Sequence, residues 1–275
     1  MIYIFISPML LEKIDTPDKK DWLTELKFDG IRLILSKHNN KTRLYTRHNT
    51  EVTNRFSELC KNDLPDGTIL DGELVVLNAN GKPDLELMMK RFMSYRDTSL
   101  KVEYVVFDII EYAALRVTSK RLIERKELLN KVLPEHPHIT ELSWIEGNAK
   151  EYFNAVKEQS LEGIVMKDPN STYTVNKRSS SWLKVINYKF ADGLITGFRK
   201  KDFGLLIESN EGVRWGIMEF MPLNAKREFY NKIDNHDKWE TNNFIHLNEH
   251  LPCKIRYRHF TSNGYMHIPT FISWL

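Results

Sequence analysis

Residues 25–32 read Glu-Leu-Lys-Phe-Asp-Gly-Ile-Arg. Lys27, Asp29, Gly30 and Arg32 fall within six residues, between flanks that read as strands. Two cations, an anion and a glycine add little to a core. They read as a turn that presents charge to something small and phosphorylated. Gly30 supplies a conformation or close approach that other residues resist. Asp29 fixes the turn through its own backbone or acts directly.

Working outward, short apolar runs rich in Val, Ile and aromatics recur at 33–36, 43–47, 69–77, 103–110 and 162–168. Such runs favour strands. The apolar start MIYIFISPML lacks a basic leader and a cleavage site and reads as a first strand. Helices are expected at Asn54–Lys61, Asp84–Tyr95 and Thr118–Leu133, with a fourth after an N-cap at Asn148. In the third, Leu122, Leu129, Val132 and Leu133 form an apolar stripe against Lys and Arg. Elements mix without a regular βαβ repeat, which predicts an α+β fold with antiparallel sheets. After residue 188 strand and turn signals dominate, with a hairpin turn at Asn263-Gly264. The expected domains are therefore 1–187 and an all-β small barrel over 188–275.

With 275 residues, 41% hydrophobic and 28% charged, the chain suits one large folded domain or two moderate ones. The net charge of +3 permits a nucleic-acid partner without demanding one. Cys60 and Cys253 form no CxxC pair, which argues against a disulfide scaffold and a cysteine zinc site and fits a cytoplasmic setting. No run of about 18 apolar residues is long enough to cross a membrane. The histidines have no metal-like spacing, and the glycines form neither a Walker loop nor a GxGxxG fingerprint.

A lysine attacks phosphorus only as the free amine, and its reference pKa is about 10.4. Burial and nearby cations favour the amine. Arg32, Arg47, Lys167 and Lys184 are the candidate cations. Glu73 and Glu162, at strand ends, suit Mg²⁺ with its preference for oxygen ligands. Phe107, in the strand VVFDII, is a candidate for stacking on a base.

These stretches, in this order, resemble the motifs of compact ATP-dependent DNA ligases of the covalent nucleotidyltransferase superfamily, the bacterial and prophage-type enzymes above all. ELKFDGIR resembles motif I, LYTRHN motif Ia, LDGELV motif III, VVFDII motif IIIa, EGIVMKD motif IV and SWLKVINY motif V. The tail 254–274 resembles, more weakly, the last strands of the ligase oligonucleotide-binding (OB) barrel. The resemblance implies an adenylation domain with ATP-grasp-like antiparallel sheets and helices, followed by an all-β OB-fold. It implies Lys27, Arg32 and Lys184 as catalytic residues. It places Glu25, Leu26, Lys27, Arg32, Arg47, Glu73, Phe107, Lys167 and Lys184 around the nucleotide, and Mg²⁺ at Glu73 and Glu162. Glu73 has a second reading, as a ribose ligand.

The implied activity is sealing of 5′-phosphate/3′-hydroxyl nicks in duplex DNA by a monomer, through lysyl-AMP, with contacts mainly to DNA phosphates. RNA ligases, GTP-using capping enzymes and a non-catalytic nucleic-acid-binding module are the alternatives. NAD⁺ as donor is disfavoured, because such ligases resemble much longer, zinc-containing chains. The sequence departs from the pattern twice. Ile186 stands where motif V carries a second lysine, with Lys189 nearby. His267 stands where a terminal basic residue is expected, with Arg256 and Arg258 as stand-ins. Each candidate also has a plainer reading: surface charge for the lysines and arginines, strand-end capping for the glutamates, core packing for Phe107 and Trp182, and a solvated face for Arg199–Lys201.

Overall fold

The computed structural model describes residues 5–94 and 98–275. It divides into two compact units, Met1–Asn187 and Tyr188–Leu275. The first unit contains β1 (Leu10–Lys13), β2 (Leu23–Lys27), β3 (Ile31–His38), β4 (Lys41–Thr46), β5 (Thr68–Val76), α1 (Leu85–Met93), β6 (Val102–Tyr112) and β7 (Leu115–Arg116). It continues with α2 (Leu122–Val132), β8 (Ile139–Glu141), β9 (Trp144–Glu146), α3 (Ala149–Glu158), β10 (Gly163–Lys167) and β11 (Arg178–Ile186).

One sheet of this unit runs β1-β11-β10-β2-β9, the other β4-β3-β5-β6-β7, with β8 also on β6. Pairing is antiparallel except at two places where the expectation fails: β1 with β11 and β8 with β6 are parallel. The period-2 alternation of side chains then sorts the strands into layers. On β5, Leu70, Leu74 and Val76 join one core, while Ile69 and Val75 join the core that also takes Leu23, Phe107, Tyr173 and Trp182. That second core lies between the two sheets. Ile164, Met166, Leu183 and Val185 pack from β10 and β11 against Ala149 and Val156 of α3, on the far side of the first sheet.

Several local expectations are corrected. The first strand starts at Leu10, after Pro8, which has no N–H for a ladder; residues 1–4 lie outside the described set. Asn54–Lys61 is two 3₁₀ turns, Thr53–Arg55 and Ser57–Leu59, because Phe56 leaves helical geometry (φ −130°, ψ 52°) and is fully buried. Asp84 caps α1, accepting from Leu87 N–H at 3.0 Å; Tyr95, at the expected end, lies outside the described residues. α2 begins at Leu122 rather than Thr118; the Glu124 carboxylate accepts from the Arg121 backbone N–H at 2.9 Å and from its Nε at 3.1 Å. Asn148 precedes α3, but in the left-handed region (φ 50°) with no capping bond from its side chain.

The second unit holds β12 (Lys189–Arg199), β13 (Leu205–Glu208), β14 (Arg214–Met218), α4 (Leu223–Ile233), β15 (Lys238–Glu240), β16 (Phe244–Tyr257) and β17 (Thr270–Trp274). Its sheet runs β14-β13-β12-β16-β15, with β17 also on β16. It is not all-β. Ala225, Phe229 and Ile233 repeat every four residues and bury one face of α4 in the core of the unit. The Asn263-Gly264 turn closes as expected, with Gly264 at φ 77° and Thr261 N–H bonded to Tyr265 O at 2.7 Å. Only Asn187 and Tyr188 separate β11 from β12.

Candidate active site

The alternation that sorts the cores also builds the site. On β2, Leu23, Glu25 and Lys27 share the face toward the second sheet. On β10, Val165 and Lys167 oppose the α3 face, as does Trp182 on β11. Arg32 of β3, Asp71 and Glu73 of β5 and Phe107 of β6 point back from the other sheet. A pocket lies between them. Glu25, Leu26, Lys27, Arg32, Glu73, Phe107 and Lys167 of the expected set line it, and so does Trp182.

Lys27 ends β2, with Nζ 2.8 Å from Glu162 Oε2. Sequence reasoning surrounded this lysine with cations; the nearest charged partner shown is a carboxylate. Gly163 opposes Lys27 in the β10 register, which carries the adjoining Glu162 to that spot. Gly30, in the turn after Lys27, is required by close approach: a Cβ there would lie 2.3 Å from Leu74 O.

Glu73 opposes Arg32 in the β3–β5 register. Burial pushes its carboxyl up to about 7. Lys27 and Arg32 oppose this rise, while Glu162 and Asp71 add to it. Glu73 and Glu162 therefore feel each other's charge beside Lys27. Two mutually repelling carboxylates offer oxygen ligands that a divalent cation would stabilise, so this pair fits Mg²⁺.

Arg32 is clamped by Asp71 through Nε–Oδ1 at 2.5 Å and Nη2–Oδ2 at 2.6 Å. Burial works against its charge, but the fully buried Asp71 outweighs that and raises its pKa. Tyr173 donates to Asp71 Oδ2 at 2.6 Å and accepts from Met9 N–H at 3.0 Å. The guanidinium sits 4.3 Å from the Phe107 ring centroid. Phe107 is both core and pocket wall. Trp182, expected only to pack, does both too: it meets Phe107 and Tyr173 edge-on and lies 4.1 Å below the Lys167 ammonium.

Glu25 is buried with an ion pair on each oxygen. Lys167 Nζ lies 2.6 Å from Oε2, and Lys126 Nζ of α2 pairs with Oε1. Lys167 is pushed down to about 8 by burial; Glu25 resists this and Lys126 adds to it. Lys126 was missed in the sequence, as was Tyr173. The signal for Lys126 was present: Arg125 and Lys126 stand three and four residues after Leu122, on the apolar stripe and not opposite it. Arg125 is fully buried against Asp108, with bonds of 2.7 and 2.9 Å.

Three expected residues are not in the pocket lining: Glu162, which meets Lys27 instead, Arg47 and Lys184. Arg47 is exposed beyond β4, with Nε 2.9 Å from His48 Nε2. Lys184 pairs with Val165 and Lys13 on β11 and does not line the cavity. Ile186 is buried at the end of β11. In the second unit, Arg199 binds Asp202 and Glu219 at 2.8 and 2.7 Å, and Lys200 binds Glu240 at 2.6 Å. That run is an ion-paired surface. Arg256 lies 4.3 Å over the Tyr188 ring.

Two antiparallel-rich sheets enclosing a strand-end lysine, paired glutamates and an aromatic-walled pocket define a covalent nucleotidyltransferase domain of the ligase type. The model of the ATP dependent DNA ligase domain matches residues 8–185. The chain is 45% identical over 272 residues to the SPbeta prophage-derived DNA ligase-like protein LigB of Bacillus subtilis, covering 98% of this chain and 99% of that one. It is 30% identical over 186 residues to the multifunctional non-homologous end joining DNA repair protein LigD of Mycobacterium tuberculosis. That match covers 66% of this chain but only 24% of LigD. A solved structure described as Lig E DNA ligases, DNA binding with a minimal scaffold, superposes with a TM-score of 0.70 at 17% identity, covering 99% of this chain and all of that one. The chain belongs to the ATP-dependent DNA ligase family, and its enzymatic class is that of a DNA ligase using ATP.

Proposed function

We propose that the protein seals nicks in duplex DNA in three displacements, with Lys27 as the nucleophile. The observation that carries this reading is the position of Lys27: at a strand end, at the mouth of the Phe107/Trp182 pocket, with Glu162 at 2.8 Å. Glu162 is placed to take the ammonium proton. The free amine then attacks the α-phosphorus of ATP. An N–P bond forms, the α–β phosphoanhydride breaks, and pyrophosphate leaves. The 5′-phosphate of the nick next displaces Lys27 from the adenylyl group. Finally the 3′-hydroxyl attacks the activated 5′-phosphate, forming the phosphodiester and expelling AMP.

Phe107 and Trp182 hold the base, while Arg32, fixed by Asp71, and Lys167 supply positive charge to the nucleotide. Arg47 and Lys184 reach phosphates only from outside the pocket described above. Glu73 and Glu162 would hold Mg²⁺, which offsets charge as each displacement proceeds. In this reading 1–187 is the adenylation domain, 188–275 an OB-type domain, and the protein a monomer that grips DNA mainly through phosphates, so binding weakens with salt.

The test is covalent labelling with α-labelled ATP, GTP or NAD⁺ and Mg²⁺, then addition of nicked DNA or nicked RNA. A label from ATP alone, lost as sealed DNA appears and absent in Lys27→Ala, is the expected result. A GTP label, or sealing of RNA only, would replace it with capping or RNA-ligase chemistry. An adduct surviving in Lys27→Ala would refute the nucleophile.

A further inference from the structure

Lys126 sits on α2, behind the pocket rather than in its lining. Its side chain, like those of Glu25 and Lys167, is 1 to 2% exposed. Two ammonium groups thus share one carboxylate with almost no exposure to solvent. Burying a charge is costly, and burying a surplus cation is costlier still. A core built only for stability would place an apolar side chain at 126, where Leu122 and Leu129 already form the stripe.

The surplus charge falls on Lys167. Its ammonium lies 4.4 Å from the Phe107 ring centroid and 4.1 Å from that of Trp182. These are the aromatic walls of the pocket. Both lysines make close ionic contacts with Glu25. The other charge near Lys167, Asp108, is engaged by Arg125. Among the described residues Glu25 is therefore the only carboxylate that pairs with Lys167, and its other oxygen is taken by Lys126.

We propose that Lys126 is a positioning residue for nucleotide binding: by holding one oxygen of Glu25 from behind the pocket, it stops Glu25 from neutralising Lys167 and leaves a net positive charge facing the bound nucleotide. The inference rests on the functional reading above. Lys126 touches no substrate and acts only through Glu25 and Lys167. Removing its charge gives Glu25 wholly to Lys167 and takes the local sum of the three groups from one positive charge to none. ATP binding then weakens. Lys167 also loses a like-charged neighbour, so its ammonium persists to higher pH.

The test measures KM and kcat for ATP in covalent labelling of the full chain, as a function of pH. It compares the native protein with Lys126→Gln, which keeps a donor to Glu25 but no charge, and Lys126→Arg, which keeps the charge. In Lys126→Gln, KM at neutral pH should rise about tenfold, the loss of one charged contact, with a much smaller fall in kcat. The alkaline rise in KM, centred near about 8 in the native protein, should move to higher pH; Lys126→Arg should retain the native profile. An unchanged KM and alkaline limb in a folded Lys126→Gln protein would overturn the proposal. So would KM and kcat changes that merely track the folded fraction. If Lys126→Gln does not fold, the native profile decides: a KM flat from about pH 7 to 9 overturns it, and a limb that Lys126→Arg preserves supports it. Absence of any ATP label in the native protein would instead overturn the functional reading, and the inference with it.

Discussion

Lys27 and Glu162 lie 135 residues apart in sequence and 2.8 Å apart in the structure. Their side chains are 18% and 6% exposed, so the pair is largely shielded from water. A lysine attacks phosphorus only as the free amine, so a group that accepts its proton must lie at hand. In the proposed reaction Glu162 is the carboxylate that accepts that proton.

Glu162→Gln keeps the shape and the hydrogen-bonding capacity but not the charge. The single-turnover rate of label formation from ATP should fall by about 10²–10³, the usual cost of removing one charged group from such a site. Nucleotide affinity should change far less. A rate within a factor of a few of the native enzyme would show that Glu162 only pairs with Lys27.

Glu73 makes a pH prediction. Its folded-state pKa of about 7 stands above the ordinary value of 4.5. The folded protein therefore holds a proton that the unfolded chain releases. The stability this proton contributes is complete below about pH 4.5 and is lost as pH rises through about 7. Glu73→Gln should remove this decline, gaining about 1–3 kcal/mol relative to the native protein at alkaline pH compared with acidic pH, by urea unfolding. Mg²⁺ stimulation of labelling should weaken below neutrality for the same reason. An unchanged stability difference across this range would refute the shift.

The Arg32–Asp71–Tyr173 network should divide unequally. Asp71→Asn leaves the largely buried Arg32 guanidinium without its anion and should cost about 3–5 kcal/mol in denaturant unfolding. Tyr173→Phe removes the bond to Asp71 and the acceptor of the Met9 N–H and should cost about 1–3 kcal/mol. The same Tyr173→Phe protein should raise KM for ATP, because Arg32 loses part of what fixes it beside Phe107.

Gly30→Ala places a methyl group 2.3 Å from Leu74 O and 2.9 Å from Val75 Cγ1. Backbone cannot yield there without moving β5. Destabilisation of about 1–3 kcal/mol is expected, together with slower labelling, since the same shift displaces Glu73 and the Lys27 turn. Thermal unfolding and label kinetics would measure the two effects separately.

Much of this site was readable from local pattern. The strands carrying Lys27, Glu73, Phe107 and Lys167 appear as alternating or continuous apolar runs, and the charged residues stand out because they interrupt those runs. Helix α4 was readable too, through Ala225, Phe229 and Ile233, but was hidden by the strand signals around it. Lys126 was overlooked because a charged residue in a helix is ordinarily solvated; its place on the buried stripe of α2 was the contrary sign. The parallel pairing of β1 with β11 had no local signal, since it joins segments at opposite ends of the first unit.

The sequence by itself determined the family resemblance, the candidate nucleophile and most of the succession of strands, because each is encoded in residue types a few positions apart. Only the tertiary structure decided which charges meet. Lys27 with Glu162, Arg32 with Asp71 and Tyr173, and Glu25 with both Lys126 and Lys167 are set by strand register and by the facing of two sheets. A one-residue slip in register would turn those side chains to the opposite face. Burial, which moves Glu73 up and Lys167 down, is likewise a property of the assembled layers and of no single segment.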